Sequence, residues 1–472
     1  MLVDRFSRST AHPRSDRDDV AGQVLALGGA RLGAAGLSAC TALVLAHQLS
    51  KEDYGRLSLL TGIVGLVVVL SDVGLTSSLA RFVSERRARR GLLIRVMAAR
   101  AAVAGVAAAG VLAYAAGGGL GHVGSAAMVA TALLMANSTV SLAQGLLPAL
   151  RRVRTAALLT VVVPAVELTG ILIASQIGLT APTALIAMAV AASTGAALSL
   201  VVLLTQALPT VDSASMPDVL RYALPLFGVL LCDSVFGVVD QIVIAAFHGA
   251  AAVAPYALSW KLAMFLHLPA VAVAVVVGPR LARDRAQAGT LFRLWFQRTV
   301  ILQIGLVVVV AALAPDVLGL INEHYRSDGL LLRLLTGYAV LLGMAPMLSI
   351  ALNYLGGAQG RLRIAAMAVA LNVVLDLVLV PGFGAAGAAV SSTVAYLLYV
   401  GGHARLLSRS VDGVWRGGSA LAATTILGAA SAIAVAVITS HALPSTTPLS
   451  PVLAAALALA VYLGIVARRA FR

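Results

Sequence analysis

Apolar stretches, each long enough to cross a lipid bilayer, recur about fourteen times along this chain. About 20 apolar residues in a helix cover the roughly 30 Å hydrocarbon core. A helix also satisfies its own backbone hydrogen bonds, which lipid cannot do. The pattern therefore constrains the chain to an all-α membrane protein. Composition agrees: 60% of residues are hydrophobic, 11% are charged and the mean hydropathy is +0.97. Soluble chains do not combine those values at this length.

The formal net charge of +15 would ordinarily raise nucleic acid as a partner. The arginines instead sit in short gaps beside the apolar spans, as orientation signals do, so no nucleic-acid partner is expected. Lys51 and Lys261 are the only lysines. Cys40 and Cys232 both fall inside apolar spans, where cysteine acts as a small hydrophobe. No disulfide, metal site or cofactor is expected.

Spans are read at 22–47, 57–80, 92–117, 122–149, 156–177, 182–206, 219–247, 253–278, 293–313, 330–355, 362–381, 385–408, 418–440 and 449–468. The gap after span two holds Arg81, Arg86, Arg87, Arg89 and Arg90. Arg151, Arg152 and Arg154 follow span four, and Arg280, Arg283 and Arg285 follow span eight. Arg361 and Arg363 follow span ten, Arg409 and Arg416 follow span twelve, and Arg468, Arg469 and Arg472 close the chain. The odd gaps hold little beyond Lys51, Arg56 and Arg326, and the gap after span six holds Arg221 alone. The positive-inside rule then places both termini in the cytoplasm. Residues 1–21 mix Arg5, Arg8, Arg14 and Arg17 with Asp4, Asp16, Asp18 and Asp19. They lack the basic-then-apolar pattern of a cleaved signal and read as a cytoplasmic tail.

The two halves resemble each other. Lys51–Ser58 reads KEDYGRLS and Ala252–Ser259 reads AVAPYALS, which sets Tyr54 against Tyr256, 202 positions on. Arg154 precedes Glu167 by 13 residues and Arg363 precedes Asp376 by 13, an offset of 209. Two similar offsets imply a six-span unit used twice in the same orientation, a parallel repeat of the kind seen in secondary transporters. The expected organisation is a tail over 1–21, six-helix lobes over 22–210 and 211–410, and two further helices over 411–472.

Three segments carry a family resemblance: YGRLSLLTGIVGLVVVLSDVGLTSSLARFVSE from Tyr54, DQIVIAAFHGAAAVAPYALSWKLAMFLHLPAVAVAVVVGPRL from Asp240, and LNYLGGAQGRLRIAAMAVALNVVLDLVLVPGFGAAGAAVSSTVAYLL from Leu352. Together they resemble the polysaccharide-exporter branch of the multidrug/oligosaccharidyl-lipid/polysaccharide exporter superfamily. The resemblance implies two lobes around a cavity that opens alternately to each side. It implies a flippase for an oligosaccharide carried on polyprenyl pyrophosphate and no enzymatic activity; a polysaccharide polymerase and a ligase are candidate partners, and the protein working alone is the alternative. The sequence has no GxxxxGK[ST] phosphate loop. A multidrug extruder driven by Na⁺ or H⁺ and a flippase for the peptidoglycan lipid precursor are alternatives within the superfamily. A membrane-embedded glycosyltransferase or acyltransferase is the alternative outside it, but the largest outer loop, around Asp316 to Asp328, is short for acid–base work.

Ionisable groups inside spans are costly and face a cavity or a partner. Arg31, Arg100 and Asp72 all fall in the inner half of their spans. Asp72 is expected to pair with one of the two arginines, leaving the other for a pyrophosphate, which a guanidinium fork suits. Asp233, Gly237 and Asp240 follow an i, i+4, i+7 spacing that places them on one helical face. Asp240 and Lys261 have matching depths and are expected to pair. Asp233, Asp240 and Lys261 join Arg31 and Arg100 as candidate cavity groups, while Asp72, Glu167 and Asp376 are candidates for ion coupling or structural charge. His267 reads as a packed histidine, and the Arg86–Arg90 run as an orientation signal touching anionic lipid.

Overall fold

The computed structural model describes residues 13–85, 88, 90–116, 124–205, 215–283, 287–355, 358–411, 414–415 and 450–470. Among them there is no strand. The helices are α1 (Pro13–Gln48), α2 (Lys51–Asp72), α3 (Leu75–Ser84), α4 (Arg90–Ala116), α5 (Gly124–Leu146), α6 (Val153–Gln176), α7 (Ala181–Thr205) and α8 (Met216–Phe236). They continue with α9 (Val239–His248), α10 (Ala250–Leu266), α11 (Leu268–Arg283), α12 (Ala288–Ala312), α13 (Ala314–Ile321), α14 (Gly329–Leu355), α15 (Ala358–Ser410) and α16 (Ser450–Ala470). A 3₁₀ turn, Glu323–Asp328, precedes α14. Eleven helical stretches among the described residues are long and apolar enough to cross a membrane.

Several expectations from the pattern change in detail. Helix α1 begins at Pro13, a residue suited to a first helical position, and so takes in residues 13–21. Span two is broken, because Val73 and Gly74 both take positive φ between α2 and α3. Span seven is broken at Gly237 and Val238, and span eight at His267. Hydropathy cannot register these breaks, since a one- or two-residue turn leaves the apolar run intact. Span thirteen, 418–440, lies outside the described residues, as do the first twelve residues and Arg86, Arg87 and Arg89.

Helix α15 contains spans eleven and twelve. Gly384, at φ 56° and ψ −140°, is its only residue outside helical geometry, in a region that side chains do not adopt. Contacts across it run in opposite senses: Gly387 on Leu379, Ser391 on Asn372, Gly402 on Ile364 and Gly360 on Leu406. The helix is therefore a hairpin folded at Gly384.

The chain groups into two compact units. The first comprises residues 1–41, 71–174 and 186–223, and the second comprises 42–70, 175–185 and 224–472. The core of the first unit is built from Leu75, Leu79, Phe82, Leu93, Leu146 and Leu147 with Val219. In the second, Phe292, Phe296, Met347, Leu348, Leu352 and Tyr399 pack together, and Tyr462 of α16 seats α16 on α12 through its hydroxyl, which donates to the Ile301 carbonyl at 2.9 Å. The α1–α2 turn belongs to the second unit. His47 Nδ1 lies 2.6 Å from the Ile321 carbonyl, Asn322 Nδ2 donates to the His47 carbonyl at 3.0 Å, and Lys51 pairs with Asp328 at 2.8 Å.

Candidate functional site

Charged side chains in the spans collect at separate places, and each unit is described in turn. In the first unit the α2–α3 break puts Asp72 at a helix end. Its Oδ1 accepts from the Thr76 amide at 3.2 Å and from the Thr76 hydroxyl. Arg100, from α4, donates through Nη1 to Asp72 and Thr76. Its Nη2 donates to the Ser138 carbonyl at 2.8 Å and to the Ser141 hydroxyl at 2.7 Å. Arg100 is 2% exposed, so this is a buried and locally neutral pair. Of the two arginines open to Asp72 in the sequence, the structure selects Arg100. Arg31 is exposed on α1.

A pocket of about 440 Å³ between α4, α5 and α7 has Arg100 in its wall with Met97, Leu142 and Leu200. Because Asp72 balances the guanidinium, the pocket offers no net charge to an anion. Glu167 lies half-buried in α6.

In the second unit Asp240 opens α9 and is 1% exposed. Its Oδ2 accepts hydrogen bonds from the hydroxyls of Tyr256 and Ser392, and its Oδ1 from Asn372 Nδ2 at 3.1 Å. Asn372 Nδ2 also donates to Ser391 Oγ at 3.0 Å, and Ser391 Oγ donates back to the Asn372 carbonyl. Asp376, one turn beyond Asn372 and 0% exposed, interacts electrostatically with Asp240. Neither carboxylate oxygen of Asp376 meets a hydrogen-bond partner among the described residues.

The expected Asp240–Lys261 pair is not formed. Lys261 Nζ instead reaches the Tyr54 hydroxyl at 3.4 Å and lies 5.2 Å from the centre of that ring. Helix α10 turns Tyr256 toward Asp240, and Lys261, five residues on, points to α2. The single face expected for Asp233 and Asp240 is also interrupted, since Gly237 and Val238 separate α8 from α9. Asp240 is consequently buried while Asp233 is exposed. The repeat-equivalent acids differ too, because Glu167 is half-buried and Asp376 fully so. His267 is half-buried at the α10–α11 junction, with Nδ1 2.5 Å from the Met264 carbonyl.

Tyr256, Asn372, Ser391 and Ser392 were not singled out for chemistry in the sequence. Asn372 and Asp376 at i, i+4 in an otherwise apolar span were a usable signal. The serines were not, because serine is common at helix contacts in membranes.

No curated protein sequence matches the chain. The fold is shared with solved structures. The lipid II flippase MurJ, in an inward closed conformation, superposes with a TM-score of 0.73 at 15% identity, covering 94% of this chain and 99% of that one. An inward-facing multidrug resistance MATE family transporter gives a TM-score of 0.61 at 17% identity, covering 79% and 95%. A point mutant of the Vibrio cholerae MATE transporter VcmN gives 0.58 at 15% identity, covering 85% and 100%. The shared fold and the apolar helices make the chain an integral membrane protein. Residues 20–284 match the family described as "Polysaccharide biosynthesis protein". The chain therefore belongs to that family.

Proposed function

We propose that the chain is a flippase of the bacterial inner membrane that moves an oligosaccharide repeat unit on polyprenyl pyrophosphate from the inner to the outer leaflet. It works by alternating access, with both termini in the cytoplasm and with a polysaccharide polymerase and ligase acting on its product. Arg31, exposed within a span and not absorbed by Asp72, meets the pyrophosphate when the cavity opens inward. The polyprenyl chain stays in lipid.

The observation that carries a coupled transporter is the Asp240–Asp376 centre. Two carboxylates buried together raise each other's cost of ionisation, and a low-dielectric interior magnifies it. Three donors hold Asp240, whereas neither Asp376 oxygen meets one among the described residues, with Ser391 lying beside it. A small cation, H⁺ or Na⁺, binding there removes the repulsion, and its release to one side of the membrane drives the lobes between states. An acid set beside an acid supports a coupled carrier, whereas a helix lock joins an acid to a base, as Asp72 and Arg100 do.

The test is lipid extraction from a strain depleted of the protein, read by mass spectrometry. Accumulation of a polyprenyl-pyrophosphate glycan, with surface polysaccharide lost, supports the reading. Accumulation of the peptidoglycan precursor instead would assign the chain to that flippase activity. New sensitivity to cationic drugs without either lipid would assign it to drug extrusion.

A further inference from the structure

Lys51 and Lys261 are the only lysines among the chain's 34 basic residues, and in the second unit each stands over a tyrosine ring. Lys51 Nζ lies 5.1 Å from the centre of the Tyr325 ring and 2.8 Å from Asp328 Oδ2. Tyr325 is buried, and so is Tyr54, the ring against which Lys261 lies. The two tyrosines are within electrostatic reach of each other. Lys51, Tyr325, Tyr54 and Lys261 thus join the start of α2 to the 3₁₀ turn and to α10.

The segment they hold is unusual in its allegiance. Residues 42–70 pack in the second unit, although the chain on either side, 1–41 and 71–174, packs in the first. Nothing local explains Lys51. It is the first residue of α2, where the helix dipole disfavours a cation. The acids beside it are engaged elsewhere, Glu52 with Arg56 and Asp53 with Ser50. Its counter-charge, Asp328, is 277 positions away. The lysine therefore serves the long-range contact, together with the His47–Ile321 and Asn322–His47 hydrogen bonds of the same turn.

The choice of lysine in an arginine-rich chain has a physical meaning. A guanidinium fork bonds a carboxylate bidentately and stacks on an aromatic ring, whereas an ammonium is a compact, strongly hydrated point charge. With Asp328 and Tyr325 both beside position 51, an arginine would make both contacts at once. The lysine holds less and, at 33% exposure, returns readily to water. At the buried Asp72 lock the chain uses arginine instead. We propose that the α1–α2 turn is a releasable clasp on the 3₁₀ turn and α10, that Lys51 sets how readily it lets go, and that its release opens this end of the transporter. The clasp rests on the alternating-access reading but not on which lipid is carried.

The test uses full-length protein in nanodiscs with Cys40 and Cys232 replaced by serine. Ser58→Cys, one turn beyond Tyr54 and 6% exposed, reports the clasp through its rate of reaction with a membrane-impermeant maleimide. Lys51→Gln and His47→Ala, both outside the buried core, should each speed labelling about threefold, and together about tenfold. Lys51→Arg keeps the charge and should slow labelling about threefold below the Lys51 protein, because the fork holds Asp328 and Tyr325 together. A merely structural cation would tolerate that exchange. If Lys51→Gln lowers the melting temperature, Lys51→Arg carries the test. Labelling that Lys51→Arg leaves unchanged or speeds, or that Lys51→Gln and His47→Ala together do not speed, would overturn the clasp. These rates need no substrate. A depleted strain that accumulates no lipid-linked glycan would therefore sink the flippase reading and leave the clasp standing.

Discussion

At Gly55 α2 lies directly against α10, which offers a sharp test of whether that contact persists through an alternating cycle. A Cβ placed on Gly55 would fall within the Ala250 carbonyl and 3.3 Å from the Ala254 amide nitrogen. Both obstacles are backbone, so no side-chain rotamer relieves them. Gly55→Ala must push the two helices apart. Overpacking of this kind costs about 1–3 kcal/mol. The neighbouring Lys51–Asp328 pair adds little resistance, because its side chains are 33% and 24% exposed and such pairs contribute about 1 kcal/mol or less. If the α2–α10 contact exists in only one of the alternating states, the cost falls on that state alone. The equilibrium then moves away from it by roughly 5- to 150-fold. The assay is labelling of Ala257→Cys, a buried α10 position, by a membrane-impermeant maleimide in a protein whose Cys40 and Cys232 are replaced. Added from outside, the reagent should react faster by that factor when Gly55→Ala is present. Unchanged labelling at equal protein abundance would refute the reasoning, since the contact would then persist through the cycle.

Four further outcomes follow from the same geometry. Asp72→Asn strips the counter-charge from a buried arginine and should cost about 3–5 kcal/mol, seen as a lower unfolding temperature, while the Asp72→Asn/Arg100→Gln double variant should recover most of it; equal stability of all three proteins would show that the pair is not a lock. Arg31→Ala, at an exposed site, should leave stability within about 0.5 kcal/mol and depress lipid-linked glycan flux; normal flux at normal abundance would remove Arg31 from substrate binding. Asp376→Asn should abolish the response of flux in proteoliposomes to an imposed Na⁺ or H⁺ gradient, and a retained response to either would place coupling elsewhere. Gly384→Ala forces a side chain into a region that only glycine occupies and should destabilise the hairpin by about 1–3 kcal/mol in a thermal or denaturant melt; a melt unchanged from wild type would mean that the turn relaxes freely.

The sequence by itself determined the class of this protein and the rough course of its helices. Burial in lipid depends on local length and polarity, and both are written along the chain. The breaks in spans two, seven and eight escaped because the apolar run continues through them. The fate of each charge was not local either. Arg100 meets Asp72 across 28 positions, Ser392 meets Asp240 across 152, and Lys261 is taken by Tyr54 across 207. Matching depth made Asp240 and Lys261 candidate partners, but depth fixes only one coordinate. Rotation of α10 about its axis fixed the other, turning Tyr256 to Asp240 and Lys261 to α2. Only the tertiary structure could decide that, because side-chain partners inside a membrane follow from how helices rotate and pack against one another, and hydropathy is blind to both.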